Sequence, residues 1–96
     1  MRHKKTQIAN IARQILTAKG YTVYETQNVI KRKERYMASF RATNPDGIGL
    51  TRADVIIDTQ WDDYNIYELV PDWMGSDFLQ MRFGPRGKTW EIEGIA

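Results

Sequence analysis

The chain contains no cysteine. That removes disulfide frameworks, thiolate zinc sites, iron–sulfur clusters and cysteine nucleophiles together. Histidine is almost as scarce. His3 is the single one, close to the N-terminus. This argues against a Ser-His-Asp apparatus and against histidine-rich metal sites. No apolar run approaches the ~20 residues that span a bilayer, and no secretory h-region follows the basic start. Acidic side chains are missing until Glu25. An acid-free start carrying a basic amphipathic helix also occurs in transit peptides and membrane-surface helices. Here that helix leads directly into a strand pattern, so it reads as part of the fold. The expectation is a cytoplasmic protein of a reducing compartment, with no membrane partner and no cofactor.

What is present fits one globular domain. The 96 residues are 42% hydrophobic and 27% charged, enough for one modest core and no second lobe. We read residues 1–96 as a single domain with 1–5 as a flexible basic tail. Ile8, Ile11, Ala12, Ile15 and Leu16 fall at i, i+3, i+4, i+7 and i+8. That spacing lays one apolar stripe along a helix from Thr6 to Lys19. Thr6 is placed to cap its start and Gly20 to stop it in a left-handed conformation.

After Gly20 the pattern turns to strands. Tyr21 to Tyr24 is β-branched and aromatic, and Glu25 to Asn28 reads as a turn. A second strand is read from Val29, interrupted by Lys31 to Glu34. Tyr36, Ala38, Phe40 and Ala42 then alternate with Arg35, Met37, Ser39 and Arg41, which is a period of two. Asn44-Pro45-Asp46-Gly47 is a turn. Ala53, Val55 and Ile57 alternate with Asp54, Ile56 and Asp58. Trp61 to Asp63 reverses the chain. Tyr64 to Val70 is apolar on both faces and is placed centrally in the sheet, with Pro71 ending it. Phe78 to Phe83 alternates, with a short helix over 72–81 as the other reading. Gly84 to Gly87 reads as a hairpin loop. Trp90 and Ile92 then face the core from a last strand. The fold class is α+β, an N-terminal amphipathic helix packed on a mostly antiparallel sheet of five to six strands.

Charge is distributed unevenly. Residues 1–43 hold ten Lys and Arg against two Glu, a net of +8, whereas residues 44–96 carry a net of −6. An asymmetry of that size raises the prospect of a polyanionic partner. The strongest cluster is Lys31, Arg32, Lys33 and Arg35, flanked by Tyr24 and Tyr36, with Arg41 further along the same strand. Arg and Lys make most phosphate contacts, and single-stranded bases stack on aromatics. Arg82, Arg86 and Lys88 form a second basic group around the last hairpin. The loop Asp72-Trp73-Met74-Gly75 offers Trp73 and Met74 to a protein partner.

Asp54 and Asp58 share a strand face, and the following strand brings Glu68 nearby. Three convergent carboxylates would suit Mg²⁺. The order of a helix, then Arg52-Ala53-Asp54-Val55-Ile56-Ile57, then Tyr67-Glu68-Leu69-Val70 resembles the PD-(D/E)XK nuclease pattern. That resemblance implies a metal held by Asp54 and Glu68. Val70 stands where the family carries its lysine, so the resemblance implies a degenerate binder before an active nuclease. The reading taken forward is a small non-catalytic binding or regulatory module for nucleic acid or protein. The alternatives are the nuclease-like domain, and a homo-oligomeric accessory protein of bacterial, phage or mobile-element type whose open sheet face pairs with a second copy.

Overall fold

A computed structural model describes residues 4–50, 52–71 and 79–94. One helix, α1 (Lys5–Ala18), precedes five strands: β1 (Thr22–Arg32), β2 (Arg35–Thr43), β3 (Arg52–Asp58), β4 (Asp63–Pro71) and β5 (Leu79–Lys88). The strands form one antiparallel sheet in chain order. The α+β architecture, with the N-terminal helix packed on the sheet, is that read from the periodicities.

The helix begins earlier than its sequence signals suggested. Lys4 is the N-cap and Lys5 is helical, so neither belongs to a tail. Thr6 lies inside the first turn and does not cap. Instead the Lys4 backbone N–H donates to Gln7 Oε1 at 2.8 Å, the reciprocal half of a capping box. The end follows expectation. Gly20 has φ +91°, its N–H bonds to the Thr17 carbonyl and that of Tyr21 to Leu16. These two bonds make a Schellman motif, which requires the left-handed residue that glycine supplies without penalty.

The apolar stripe Ile8, Ala12, Ile15 and Leu16 is fully buried. It packs on the inner faces of β1, β2 and β3. Those faces supply Val29, Tyr36, Ala38, Phe40, Ala53 and Val55 to one core, continued on β4 by Tyr64, Ile66 and Val70. Arg13 ties the helix down from its flank, donating to Thr26 Oγ1 at 3.2 Å and lying over the Phe40 ring at 5.6 Å.

Several local expectations are corrected. Glu25 to Asn28 is not a turn. It is the middle of β1, which runs for eleven residues with register shifts at Tyr24 and Gln27. Each shift inserts one residue that opposes nothing, so the period of two is lost and the stretch looks irregular. The reversal comes later, at Lys33 (φ +55°) and Glu34. Gly84 to Gly87 is likewise no hairpin loop. It lies within β5, where Tyr67 pairs Phe83 and Asn65 pairs Arg86, leaving Gly84 and Pro85 as a bulge opposite Ile66. Glycine is required there by space: a Cβ on Gly84 would stand 2.8 Å from the Tyr21 hydroxyl and 3.1 Å from Ile66.

No last strand carries Trp90 and Ile92. Residues Thr89–Glu91 form a 3₁₀ turn, with Trp90 72% exposed and Ile92 buried. The sheet therefore has five strands among the described residues. β4 is an interior strand, but β3 is the central one, and β4 alternates between buried and half-buried residues. Trp73, Met74 and the helix-or-strand question over 72–78 lie outside the described residues, whereas 79–81 are strand.

Candidate functional site

Strand parity decides which side chains meet. Residues directly opposite in the ladder share a face. The inner face is covered by α1. The outer face is built from the other parity: Ile30, Met37, Ile56 and Asn65 in one row, then Ser39, Asp54, Tyr67 and Phe83 in the next. No described element covers this face.

Parity separates the acidic candidates. Ala53 pairs Glu68, and Asp54 pairs Tyr67. Glu68 therefore points to the inner face and Asp54 to the outer. Glu68 accepts a 2.5 Å hydrogen bond from the Tyr21 hydroxyl and lies 4.0 Å from Arg82 Nε. Asp54 lies 2.9 Å from Arg52 Nε, and Asp58 lies 3.5 Å from Arg35 Nε. The convergence of Asp54, Asp58 and Glu68 expected from the strand reading does not occur, nor does that of Asp54 and Glu68 implied by the nuclease-like pattern. The reason is the one-residue offset between positions 54 and 68 in the β3–β4 register. Among the described residues no group of three or more His, Asp or Glu side chains could hold a metal ion.

Buried Tyr21 resists ionisation. Burial is the main cause, and the Glu68 carboxylate that accepts its proton adds to it, first by the hydrogen bond and then by its charge; both raise its pKa above the ordinary tyrosine value. The charge on Arg82 opposes them.

The basic candidates fall into two classes. Arg41 pairs with Glu25 at 4.0 Å, Arg82 with Glu68, and Lys88 with Asp63 at 2.6 Å. Arg35 contacts Asp58 with its side chain still 73% exposed. Lys31, Arg32, Lys33 and Arg86 make no ion pair with a described residue. Lys31 instead lies 5.6 Å from the Tyr36 ring centre, on the helix side of the sheet. Arg32 and Arg35 oppose each other on the outer side.

The tip that carries these cations is held by its neighbours. The Thr59 N–H and hydroxyl both donate to the Glu34 carbonyl, at 2.9 and 3.0 Å. That joins the β1–β2 turn to the β3–β4 turn. Asp58 Oδ1 accepts from the N–H groups of Gln60 and Trp61, and Asp62 takes φ +55°. The Thr89 N–H then bonds to the Asp62 carbonyl at 2.7 Å, tying in the end of β5. Both hairpin turns and the 3₁₀ turn thus share one end of the sheet. Arg41 and Arg82 lie away from it, toward the opposite end.

Three hollows mark this end. One of about 280 Å³ is lined by Ile30, Arg32, Arg35, Met37 and Ile56. One of about 290 Å³ beside it is lined by Arg35, Ile56, Asp58, Asp63, Asn65 and Tyr67. A wider groove of about 490 Å³ runs past Asn65, Arg86, Gly87 and Glu91. The apolar side chains of the outer face were not singled out in the sequence. Phe83 is 81% exposed and Met81 59%, and Phe83 meets Tyr67 edge-on with ring centres 5.4 Å apart. A signal for them was present. Tyr67 and Leu69 have the opposite parity from Tyr64, Ile66 and Val70, so β4 must show apolar groups on a face the helix does not reach.

No protein-family model, curated protein or solved structure matches the chain. Among the described residues, no helix is long and apolar enough to cross a membrane.

Proposed function

We propose that the protein is a non-catalytic binding module that holds a nucleic-acid backbone at the β1–β2 hairpin tip. The observation that carries this reading is the division of the cations. Lys31, Arg32 and Lys33 make no ion pair with a described carboxylate, and Arg35 remains largely exposed beside them. A cluster of cations, three of them without an ion pair to a described residue, attracts phosphates and displaces their condensed counterions. A compact phosphate-binding surface also benefits from rigidity, since a tip already held by backbone hydrogen bonds loses less freedom on binding. A metal-dependent phosphodiesterase on Asp54, Asp58 and Glu68 is not proposed, because their side chains lie on opposite faces of the sheet.

The test is a fluorescence-anisotropy titration of the whole chain against DNA and RNA oligonucleotides at about 50 and 200 mM salt, where phosphate-driven binding changes steeply. Binding should weaken with salt. Replacing Lys31, Arg32 and Lys33 by glutamine should weaken it further and reduce the salt slope by roughly one unit per lost contact. Arg41→Gln and Arg82→Gln, at ion-paired positions, should change it much less. Absence of binding at the lower salt, or an unchanged slope in the triple variant, overturns the reading.

A further inference from the structure

Resting on that reading, we infer that the open face of the sheet is a platform for single-stranded nucleic acid. On this platform a base stacks on Phe83 and the backbone runs from the hairpin tip to Arg86. Three observations converge on it. First, Phe83 is the most exposed of the large apolar side chains among the described residues, and it is backed by the Tyr67 ring at 5.4 Å. An aromatic ring held from behind and open in front is the surface on which an unpaired base stacks, whatever its identity.

Second, among the described residues the band of two rows between the tip row and Phe83 carries no exposed carboxylate; Asp58 and Asp63 belong to the tip row, paired with Arg35 and Lys88. The rows of the band are Ile30, Met37, Ile56 and Asn65, then Ser39 and Asp54. Ser39 is buried, and Asp54 is both buried and paired with Arg52. The two adjoining hollows of about 280 and 290 Å³ lie in this band, next to Arg35. The first offers an apolar floor of Ile30, Met37 and Ile56 to a base with Arg32 and Arg35 at its rim, whereas the second is more polar, with Asp58 and Asp63 along its tip side.

Third, the cations of this face that lack a described acidic partner are Arg32 at one margin and Arg86 at the other. Arg32 on β1 and Arg86 on β5 are four strand spacings apart, about 19 Å, a span that a few nucleotides can cross. This last point also decides between occupants. Among the described residues, the charges of this face that lack an ion pair, Arg32 and Arg86, share one sign, so pairing it with a second copy places like charges in one interface, whereas a polyanion complements both margins. A duplex fits less well, because its bases are already stacked on each other and cannot lie flat on Phe83.

The experiment is again anisotropy with the full chain, using three probes of equal length: a labelled oligo(dT) strand, its duplex with oligo(dA), and a base-free (abasic) strand of the same backbone. The single strand should bind more tightly than the other two. Phe83→Leu keeps an apolar side chain and removes stacking. It should weaken oligo(dT) binding about tenfold while leaving abasic binding and the salt slope unchanged. Phe83→Tyr should retain wild-type affinity. Arg86→Gln should reduce the salt slope for oligo(dT) by less than one unit, since a single-strand contact contributes ~0.7.

Equal affinity for strand, duplex and abasic probe, with Phe83→Leu silent, overturns the platform and leaves the tip reading standing. No binding of any probe overturns both. If sedimentation instead finds a dimer that Phe83→Leu dissociates, and the monomeric variant binds oligo(dT) as tightly as wild type, the face belongs to a second copy and the platform falls. Phe83 is exposed, so its variants should fold; matching circular dichroism and urea midpoints would verify this.

Discussion

Two buried tyrosines should respond in opposite ways to loss of the same atom. Tyr21 donates to the buried Glu68 carboxylate, a charge-assisted bond. Tyr21→Phe leaves that carboxylate without its donor, and urea unfolding should show a loss of about 1–3 kcal/mol. Tyr64 is 1% exposed, and its hydroxyl has no hydrogen-bond partner among the described residues. Tyr64→Phe removes an unsatisfied polar atom from the interior, so stability should be unchanged or raised. The two substitutions delete the same group, and hydrogen-bond accounting alone separates them.

The Tyr21 network also sets an alkaline limit. Its folded pKa lies above the ordinary tyrosine value near 10. Between those two values the folded state holds a proton that the unfolded state has released. Stability is therefore full below pH 10 and falls as the pH rises beyond it. Tyr21→Phe should flatten that alkaline decline in Tm. Gly84 belongs to the same contact, since an added Cβ would stand 2.8 Å from the Tyr21 hydroxyl. Gly84→Ala should cost about 1–3 kcal/mol by overpacking, and less when combined with Tyr21→Phe. The double-mutant cycle should be non-additive because the residues touch.

At the scale of elements, α1 is stabilised chiefly by docking. Its packed residues are fully buried, whereas Thr17 and Ala18 are exposed. Ile15→Ala should therefore cost about 2–5 kcal/mol. Thr17→Ser, measured by the same urea unfolding, should stay within about 0.5 kcal/mol. This helix was legible because one period held throughout and Gly20 marked its end. β2 and β3 were legible for the same reason. β1 and β5 were not, because a bulge adds one residue and inverts parity, so a single strand reads as two pieces with a loop between them. Thr6 and Lys4 show a smaller failure. A competent cap residue was present, but Gln7 satisfied the backbone two residues earlier, at Lys4.

The candidate site was half legible for a related reason. The basic tip is contiguous in sequence, so Lys31 to Arg35 could be seen as a cluster. The outer face joins residues from all five strands, and its membership depends on registers that the two shifts in β1 and the one in β5 reset. Asp54 and Glu68 illustrate the cost of missing one register step: two carboxylates that seem adjacent are separated by the whole sheet. Phe83 was seen as one member of an alternating strand, but only pairing with Tyr67 shows which way it faces.

For the whole molecule, the charge imbalance of the sequence largely persists in the fold: among the described residues Arg35, paired with Asp58, is the one cation of residues 1–43 that meets a carboxylate of the other half, and on the proposed reading the cations left over direct binding. Asp58 is where this can be shown from the opposite direction, by gain instead of loss. Its carboxylate has two roles: Oδ2 faces Arg35 at 3.5 Å, and Oδ1 accepts from the Gln60 and Trp61 N–H groups of the β3–β4 turn. Asparagine keeps an oxygen acceptor for the turn and removes the charge that competes with a phosphate for Arg35. Asp58→Asn should therefore tighten oligonucleotide binding several-fold at about 50 mM salt and steepen the salt slope by up to one unit. The urea midpoint should remain near wild type, because an exposed ion pair contributes ~0–1 kcal/mol. Asp58→Ala should give the same gain in affinity but lose about 1 kcal/mol of stability with the turn acceptor. If both substitutions leave affinity and slope unchanged, Arg35 makes no phosphate contact, and the binding surface narrows to Lys31, Arg32 and Lys33. If both weaken binding, the carboxylate is serving the ligand by holding Arg35 in place, and its charge is a positioning element of the site.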